Sequence, residues 1–317
     1  MAYEVVIPQD ITELGKKFLR DKGYKIRVGN GNMDTEYLKR LIINADAILA
    51  RTGFYPREVL ASAKNLKVIG RHGVGYDNLD LEYCKENNIT ITYTPSALSN
   101  AVAERTIGFI MALGQQLVFI DAETRTGNWE VRNTHRGNEA KNKVLGLIGL
   151  GRIGSLVAKK AYFGLDMKVV AYDKYASKKA FPKYINRLYS AEEVFEKADF
   201  VSLHVPSTSE TNGIVNKRTL EIMKPSAYII NCSRGELIDE VDLIKAIQNK
   251  RIRGAALDVF NEEPLPDHHP FFELDNVLLT PHNSALTNET MDIIGLHAAQ
   301  GIDDVLSNRK PTWPVKL

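Results

Sequence analysis

Val144-Leu-Gly-Leu-Ile-Gly149-Leu-Gly151-Arg-Ile-Gly154 is an apolar run that ends in G-x-G-x-x-G, and a helical pattern opens directly after it. Each glycine has a separate task in such a turn. Gly149 permits the tight bend, Gly151 lets the backbone approach a pyrophosphate, and Gly154 lets helix and strand pack closely. The helix N-terminus at Arg152 and Ile153 then offers free N–H groups and a partial positive charge to phosphates. The following strand pattern, Lys168-Val-Val-Ala-Tyr-Asp173, ends on an acid nineteen residues beyond Gly154. A carboxylate at that distance accepts hydrogen bonds from an adenosine ribose. It also repels a 2′-phosphate, so NAD is expected rather than NADP. The plain alternatives are a glycine turn without a ligand and a solvated strand-end acid.

Working outward, strand patterns recur downstream at 144–149, 168–172, 187–189, 200–205, 227–231, 254–258 and 276–279. Helical patterns lie between them at 153–163, 191–197, 217–223 and 241–250, the last with Asp239 as its N-cap. Upstream, strands are expected at 3–7, 24–28, 45–50, 66–70 and 89–93, with helices at 11–21, 34–44, 56–63 and 79–85. Strands separated by helices of this size imply parallel sheets with helices on both faces. A long apolar helix is expected over 98–122, then loop through 132–143. A final helix at 288–307 follows the second series and is positioned to fold back on the first. The expected fold is α/β, with two doubly wound parallel-sheet domains. Their bounds are 1–98 with 288–317, and 99–287.

A net charge of +2 over 317 residues supplies no concentrated basic field. Nucleic acid and anionic membrane surfaces are therefore not expected partners. No apolar run approaches the roughly 20 residues that cross a bilayer. The N-terminal residues show no basic n-region or apolar h-region. Two cysteines, Cys84 and Cys232, make neither a disulfide framework nor a metal cluster. A cytoplasmic protein without a metal is the expectation.

Four polar residues end strands or follow them: Arg234, Asp258, Glu263 and His282. Ligands of open parallel sheets bind beyond the carboxyl ends of the strands. An arginine fork holds a carboxylate and polarises the carbonyl beside it. A histidine exchanges protons near neutral pH, and a neighbouring carboxylate fixes its tautomer and favours the imidazolium. Together these suit hydride transfer coupled to proton transfer. Singly, each residue reads equally well as a cap, a packing residue or a solvated charge. Their joint position behind a dinucleotide cradle is what points to chemistry.

The chain resembles the D-2-hydroxyacid dehydrogenase family from about Ala45 to Leu306. The matching motifs are Arg71-His-Gly-Val-Gly-Tyr-Asp-Asn-Leu-Asp80, Thr94-Pro95, Ala101-Val-Ala-Glu104 and the glycine turn. They continue through Leu203-His-Val-Pro206 to Thr211, then Asn231-Cys-Ser-Arg-Gly235, Leu257-Asp-Val-Phe260, Glu263-Pro264 and Thr280-Pro-His282. The resemblance implies a Rossmann NAD-binding domain inserted in a flavodoxin-like substrate domain, with the active site in the cleft between them. It assigns His282 as acid/base, Glu263 as its partner and Arg234 as carboxylate anchor and carbonyl polariser. Val74 and Gly75 become backbone donors to the substrate carboxylate, and Asp258 the residue at the nicotinamide amide. Val205, Pro206, Thr211, Cys232, Ser233, Arg234 and His282 join Gly149, Gly151, Arg152, Ile153, Gly154 and Asp173 around the cofactor. A homodimer through the cofactor domains is implied, with Trp129 near that contact or in the core. Ser96-Ala97 and Asn283-Ser284 depart from the family pattern and bear on substrate size or nicotinamide placement.

The substrate reading leans to D-3-phosphoglycerate, with Arg51, Arg71 and His72 as candidate charges for its phosphate and Arg51 as the substrate-binding choice. Hydroxypyruvate, glyoxylate or another 2-keto acid is the alternative. Another class altogether is a non-enzymatic NAD(H)-sensing dimeric scaffold. Cys232 and Cys84 are read as buried packing residues, and His204 as a structural histidine.

Overall fold

Strands and helices alternate from the start of the chain: β1 (Glu4–Ile7), α1 (Glu13–Asp21), β2 (Lys25–Val28), α2 (Thr35–Ile42), β3 (Ala47–Ala50), α3 (Arg57–Leu60), β4 (Val68–Arg71), α4 (Leu81–Glu86) and β5 (Thr90–Thr92). The computed structural model describes residues 2–317. The five strands pair in parallel in the order β2-β1-β3-β4-β5. This is the flavodoxin-like order. The central strand β3 is buried along its whole length, as a strand with helices on both faces must be. Asp34 and Asp80 start α2 and α4 by accepting hydrogen bonds from the free N–H groups of Tyr37 (3.1 Å) and Tyr83 (2.8 Å).

The middle of the chain contains α5 (Ser99–Gln115), α6 (Leu117–Arg125), α7 (Val131–Thr134), β6 (Val144–Ile148), α8 (Arg152–Leu165), β7 (Lys168–Tyr172), β8 (Ile185–Arg187), α9 (Ala191–Lys197), β9 (Phe200–Leu203), α10 (Lys217–Ile222), β10 (Tyr228–Asn231), α11 (Glu240–Gln248), β11 (Gly254–Leu257) and β12 (Val277–Leu279). Its seven strands are all parallel, in the order β12-β11-β10-β9-β6-β7-β8. The strand order reverses between β6 and β9, which is where such sheets take their ligands. Asp239 caps α11 through the N–H of Asp242 at 3.0 Å.

Three local expectations are corrected. The helix expected over 98–122 is two helices, because Gln116 adopts a left-handed conformation (φ 54°, ψ 35°) between α5 and α6. The Gln116 amide donates to the Arg136 carbonyl at 2.7 Å, which holds the break. The stretch read as loop from 132 overlaps α7. The strand expected at 187–189 is β8, which begins at Ile185. Ile185 is the buried residue that pairs with Val169, whereas Tyr189 is 77% exposed and contributes nothing to the sheet.

The chain then returns in α12 (Asn288–Leu306). Ala298, Ala299, Ile302 and Leu306 share a core with Val5, Ile7, Leu19 and Val68. Beyond the helix, Tyr93 donates to the Trp313 carbonyl (3.1 Å) and Val315 to the Ile91 carbonyl (2.8 Å), so the last residues run antiparallel to β5. The two compact units are therefore Met1–Leu98 with Ala285–Leu317, and Ser99–Ser284, the second inserted in the first.

Close contact of α1 and α12 closes the first unit. A Cβ on Gly15 would stand 2.6 Å from the Gly295 carbonyl oxygen, which belongs to the backbone and has little room to move. Gly15→Ala is expected to destabilise this unit by about 1–3 kcal/mol through overpacking. Urea unfolding followed by circular dichroism, with a transition assigned to each unit, checks this. An unchanged midpoint for the first unit contradicts it.

Candidate active site

β6 delivers Gly149 in a conformation that side chains rarely adopt (φ 97°), and a Cβ there would lie 2.5 Å from the His204 carbonyl oxygen. Gly154 is packed against the Gly149 carbonyl in the same way, while nothing lies within 4 Å of the Cβ position of Gly151. Two glycines are thus required by the protein itself, and the middle one faces open space. That is the arrangement a phosphate-cradling turn needs. The exposed Arg152 begins α8 directly behind it. Asp173 accepts from Leu150 N at 2.8 Å, and from Tyr175 N and Ala176 N at 2.9 Å. It braces the glycine turn and its own loop, and retains acceptor capacity for ribose hydroxyls. The loops after β9 and β10 are tied to one another, and the first is also closed on itself. Ser233 donates to the Val205 carbonyl at 2.6 Å, and Thr211 to the Pro206 carbonyl at 2.6 Å. These residues fit a dinucleotide.

On the other side of the strand reversal, a chain of contacts links the remaining candidates. Asn231, fully buried at the end of β10, accepts from Ser233 N (3.0 Å) and donates to the Arg234 carbonyl (2.8 Å). The Arg234 guanidinium donates to the Ser233 carbonyl (2.7 Å) and is partly exposed. Among the described residues no carboxylate pairs with it. Gly235 next to it packs so tightly on the Phe260 carbonyl group that a Cβ would overlap it. Phe260 N in turn donates to Glu263 Oε1 (3.0 Å), and Glu263 Oε2 meets His282 Nδ1 at 2.7 Å. That bond assigns the proton on Nδ1 to the Glu263 side, which leaves Nε2 as the exchanging nitrogen. The histidine side chain is 51% exposed, so a substrate can reach it.

Asp258 follows directly on β11. It is fully buried, and its carboxylate accepts from Thr280 Oγ1 (2.5 Å), Asn283 N (3.0 Å) and Ser284 N (2.9 Å). It therefore holds the residues on both sides of His282, whose own backbone is left-handed (φ 49°). Such a conformation persists in a side-chain-bearing residue only when its surroundings hold it. In this structure Asp258 braces the segment that carries His282.

In the first unit, Gly73 N donates to Thr94 Oγ1 at 3.1 Å, fixing the loop after β4. Among the described residues no acceptor meets the N–H of Val74 or Gly75, so both donors remain available. Arg51 donates to the Asp10 carbonyl at 2.6 Å, and its charge helps, after Lys16, to hold the Asp10 carboxyl below its ordinary value. His72 does not supply the positive charge expected of it. Burial, reinforced by Arg51 and Arg71, pushes it down to about 3, so it is neutral.

With the cradle and the His282–Glu263 pair established, comparison with known proteins decides the family. Residues 107–284 match the family profile described as D-isomer specific 2-hydroxyacid dehydrogenase, NAD binding domain. The chain belongs to this family. It is 39% identical over 305 residues to the D-3-phosphoglycerate dehydrogenase of Methanocaldococcus jannaschii, a match covering 96% of this chain and 57% of that protein. It thus spans little more than half the length of that curated relative. It is also 39% identical over 283 residues to the glyoxylate reductase of Thermofilum pendens, covering 87% of this chain and 83% of that one. A crystal structure of a Thermus thermophilus protein superposes with a TM-score of 0.91 at 33% identity, over 99% of this chain and all of the other. The inserted unit is the NAD-binding domain of the family.

The sequence motifs contain Asn231 and Thr280 but assign them no work, and Glu240, which accepts from Asn261 N (2.9 Å) in the loop before Glu263, lies outside them. An asparagine at a strand end, poised to bond the backbone two residues on, was the available signal. Cys232 is buried and pushed up to about 12 by that burial, which makes it a packing residue. Cys84 is buried on α4 and likewise pushed up to about 12. His204 bonds Ser202 Oγ at 3.0 Å, and burial lowers it to about 4. Trp129 is 67% exposed, so core packing is not its role. No described helix is long and apolar enough to cross a membrane. No group of three or more metal-ligating side chains gathers among the described residues.

Asp258→Asn keeps the volume but turns one acceptor into a donor facing backbone N–H groups. We expect kcat to fall on the order of 10²-fold, the cost of a misplaced catalytic group. Stopped-flow turnover beside NADH titration checks this, and a variant with normal kcat contradicts it. Burial depresses three histidines, His72, His204 and His297, and the two most strongly depressed, His72 and His204, set an acid dependence. The unfolded chain binds protons at these sites from about pH 6.5 downward, while the folded chain resists until about 4 for His204 and 3 for His72. Stability is therefore full above pH 6.5 and lost as pH falls through that window. The double variant His72→Gln/His204→Gln should lose less thermal stability between pH 6.5 and 4 than the parent chain. Equal losses in a scanning calorimeter contradict this.

Proposed function

We propose that this chain transfers a hydride between NAD(H) and a small D-2-hydroxy acid or 2-keto acid. The observation that carries the reading is the 2.7 Å His282–Glu263 pair, set in the same unit as the glycine cradle and the unpaired Arg234 fork. NAD(H), when bound, supplies or accepts the hydride. Arg234 binds the substrate carboxylate with two hydrogen bonds and polarises the adjacent carbonyl. In the reducing direction His282 Nε2 gives its proton to the carbonyl oxygen, and Glu263 stabilises the imidazolium from which that proton leaves. In oxidation the same nitrogen takes the hydroxyl proton. Val74 and Gly75 are proposed as further donors to the carboxylate.

For the substrate we infer D-3-phosphoglycerate, on the ground that Arg51 and Arg71 are cations near the Val74–Gly75 loop. The glyoxylate reductase relative keeps small unphosphorylated keto acids as the alternative. We also infer a homodimer in which a second copy covers Leu117, Val118 and Trp129, all more than half exposed on the NAD-binding unit. Light scattering coupled to size exclusion tests this. A reducing, cytoplasmic setting suits two free buried cysteines.

NADH oxidation with phosphohydroxypyruvate, hydroxypyruvate, glyoxylate, pyruvate and 2-ketoisocaproate tests the reading. Turnover of the phosphorylated acid with the highest kcat/KM is the expected result. Arg51→Ala should then raise KM about tenfold or more for phosphohydroxypyruvate and leave hydroxypyruvate much less affected. Equal effects on both remove Arg51 from the phosphate. His282→Ala should lower kcat by about 10²–10⁴-fold. Arg234→Lys should raise KM strongly, since an ammonium cannot form the fork. No turnover of any acid, with NADH still bound, would favour the sensing scaffold.

A further inference from the structure

The loop after β7 has an unusual charge pattern for one that opens on a ribose-binding acid. Behind Asp173 come Lys174, Lys178, Lys179 and Lys183, with no further acid before Glu192. Such a loop attracts a phosphate, whereas Asp173 repels one. The structure shows how the nearest lysine is used. Lys174 Nζ lies 2.7 Å from Glu210 Oε2, and the Tyr175 hydroxyl donates to the same oxygen at 3.0 Å. Glu210 stands on the loop after β9, inside a tight turn closed by Thr211 and Thr208. In the sheet, β6 lies between β7 and β9. The bridge therefore joins the two loops that flank the glycine turn. Asp173 accepts from the N–H groups of Leu150, Tyr175 and Ala176, and the ion pair of Lys174 is with Glu210.

We propose that Glu210 is a cofactor-specificity residue, which commits Lys174 and Tyr175 and so denies the 2′-phosphate of NADP its nearest cation. Glu210 also adds a second negative charge to the loops around the cradle. Preference for NAD then rests on two acids, one on each flanking loop, and not on Asp173 alone. This rests on the reading of residues 149–173 as the NAD cradle. The pair is exposed, so its role is selection and not stability.

Fluorescence titration of NADH and NADPH at low salt tests the proposal in the parent chain, in Glu210→Gln, and in Glu210→Gln/Lys174→Gln. The ratio of the NADPH Kd to the NADH Kd is expected to fall about fivefold in the single variant, the scale of one charge interaction near a surface in water. It should return towards the parent value in the double variant, and the gain should shrink at high salt. An unchanged ratio in Glu210→Gln overturns the proposal. So does an equal fall in the double variant, which would give Lys174 no part. Failure of the parent chain to bind NADH would instead remove the cradle reading, and is distinguishable for that reason. Thermal unfolding of all three proteins confirms that the comparison is between folded chains.

Discussion

A carboxylate removed from water must be given donors by its own chain, or its burial costs several kcal/mol. Asp258 meets that demand with Thr280, Asn283 and Ser284, and in doing so sets the path of the backbone through His282. Its own N–H reaches back to the Asn231 carbonyl at 2.9 Å, which joins the histidine segment to the loop of Arg234. The strained histidine backbone, the arginine loop and the Glu263 turn are thus one connected arrangement. The placement of His282 is thus tied to satisfying a buried carboxylate.

The same logic governs the cofactor cradle. Gly149 and Gly154 are small because the backbone at His204 and the turn itself leave no space, and this is true before any ligand arrives. Asp173 likewise supports Leu150, in the turn, and two N–H groups of its own loop. A site that is rigid for internal reasons loses little conformational freedom when it binds. The topology supplies the rest, since a parallel sheet puts every strand's carboxyl end, and hence every one of these loops, on one edge.

Much of this was legible in the sequence, because its signals are local. Apolar runs of strand length, helices between them and the glycine turn specify two parallel sheets. Asp239 as a cap follows from residue type and order, and the pairing of Glu263 with His282 was implied by the family resemblance. What escaped depends on contacts between distant residues or on one backbone angle. The break at Gln116 sits inside an unbroken apolar pattern, and nothing in that pattern marks a left-handed residue. The edge strand at 185 was displaced because Tyr189 favours a strand by type yet lies outside the sheet. That Asp258 braces Thr280, Asn283 and Ser284 depends on residues more than twenty positions away, which residue order does not display. His72 counted as a charge until burial was known.

The residues from Trp313 to Val315 have a significance beyond the unit they close. β5 is an outer strand of the five-stranded sheet, and open strand edges recruit other strands, including those of misfolded neighbours. The returning segment occupies that edge with hydrogen bonds in both directions, at Tyr93 and Val315, and places Pro314 opposite Thr92. The opposite edge, β2, carries Lys25 and Arg27 on an exposed strand, where charge discourages pairing. One border of the sheet is sealed by the chain's own tail and the other is guarded by charge, so this domain resists aggregation by two unrelated means, the first of which depends on a handful of residues remote from any chemistry.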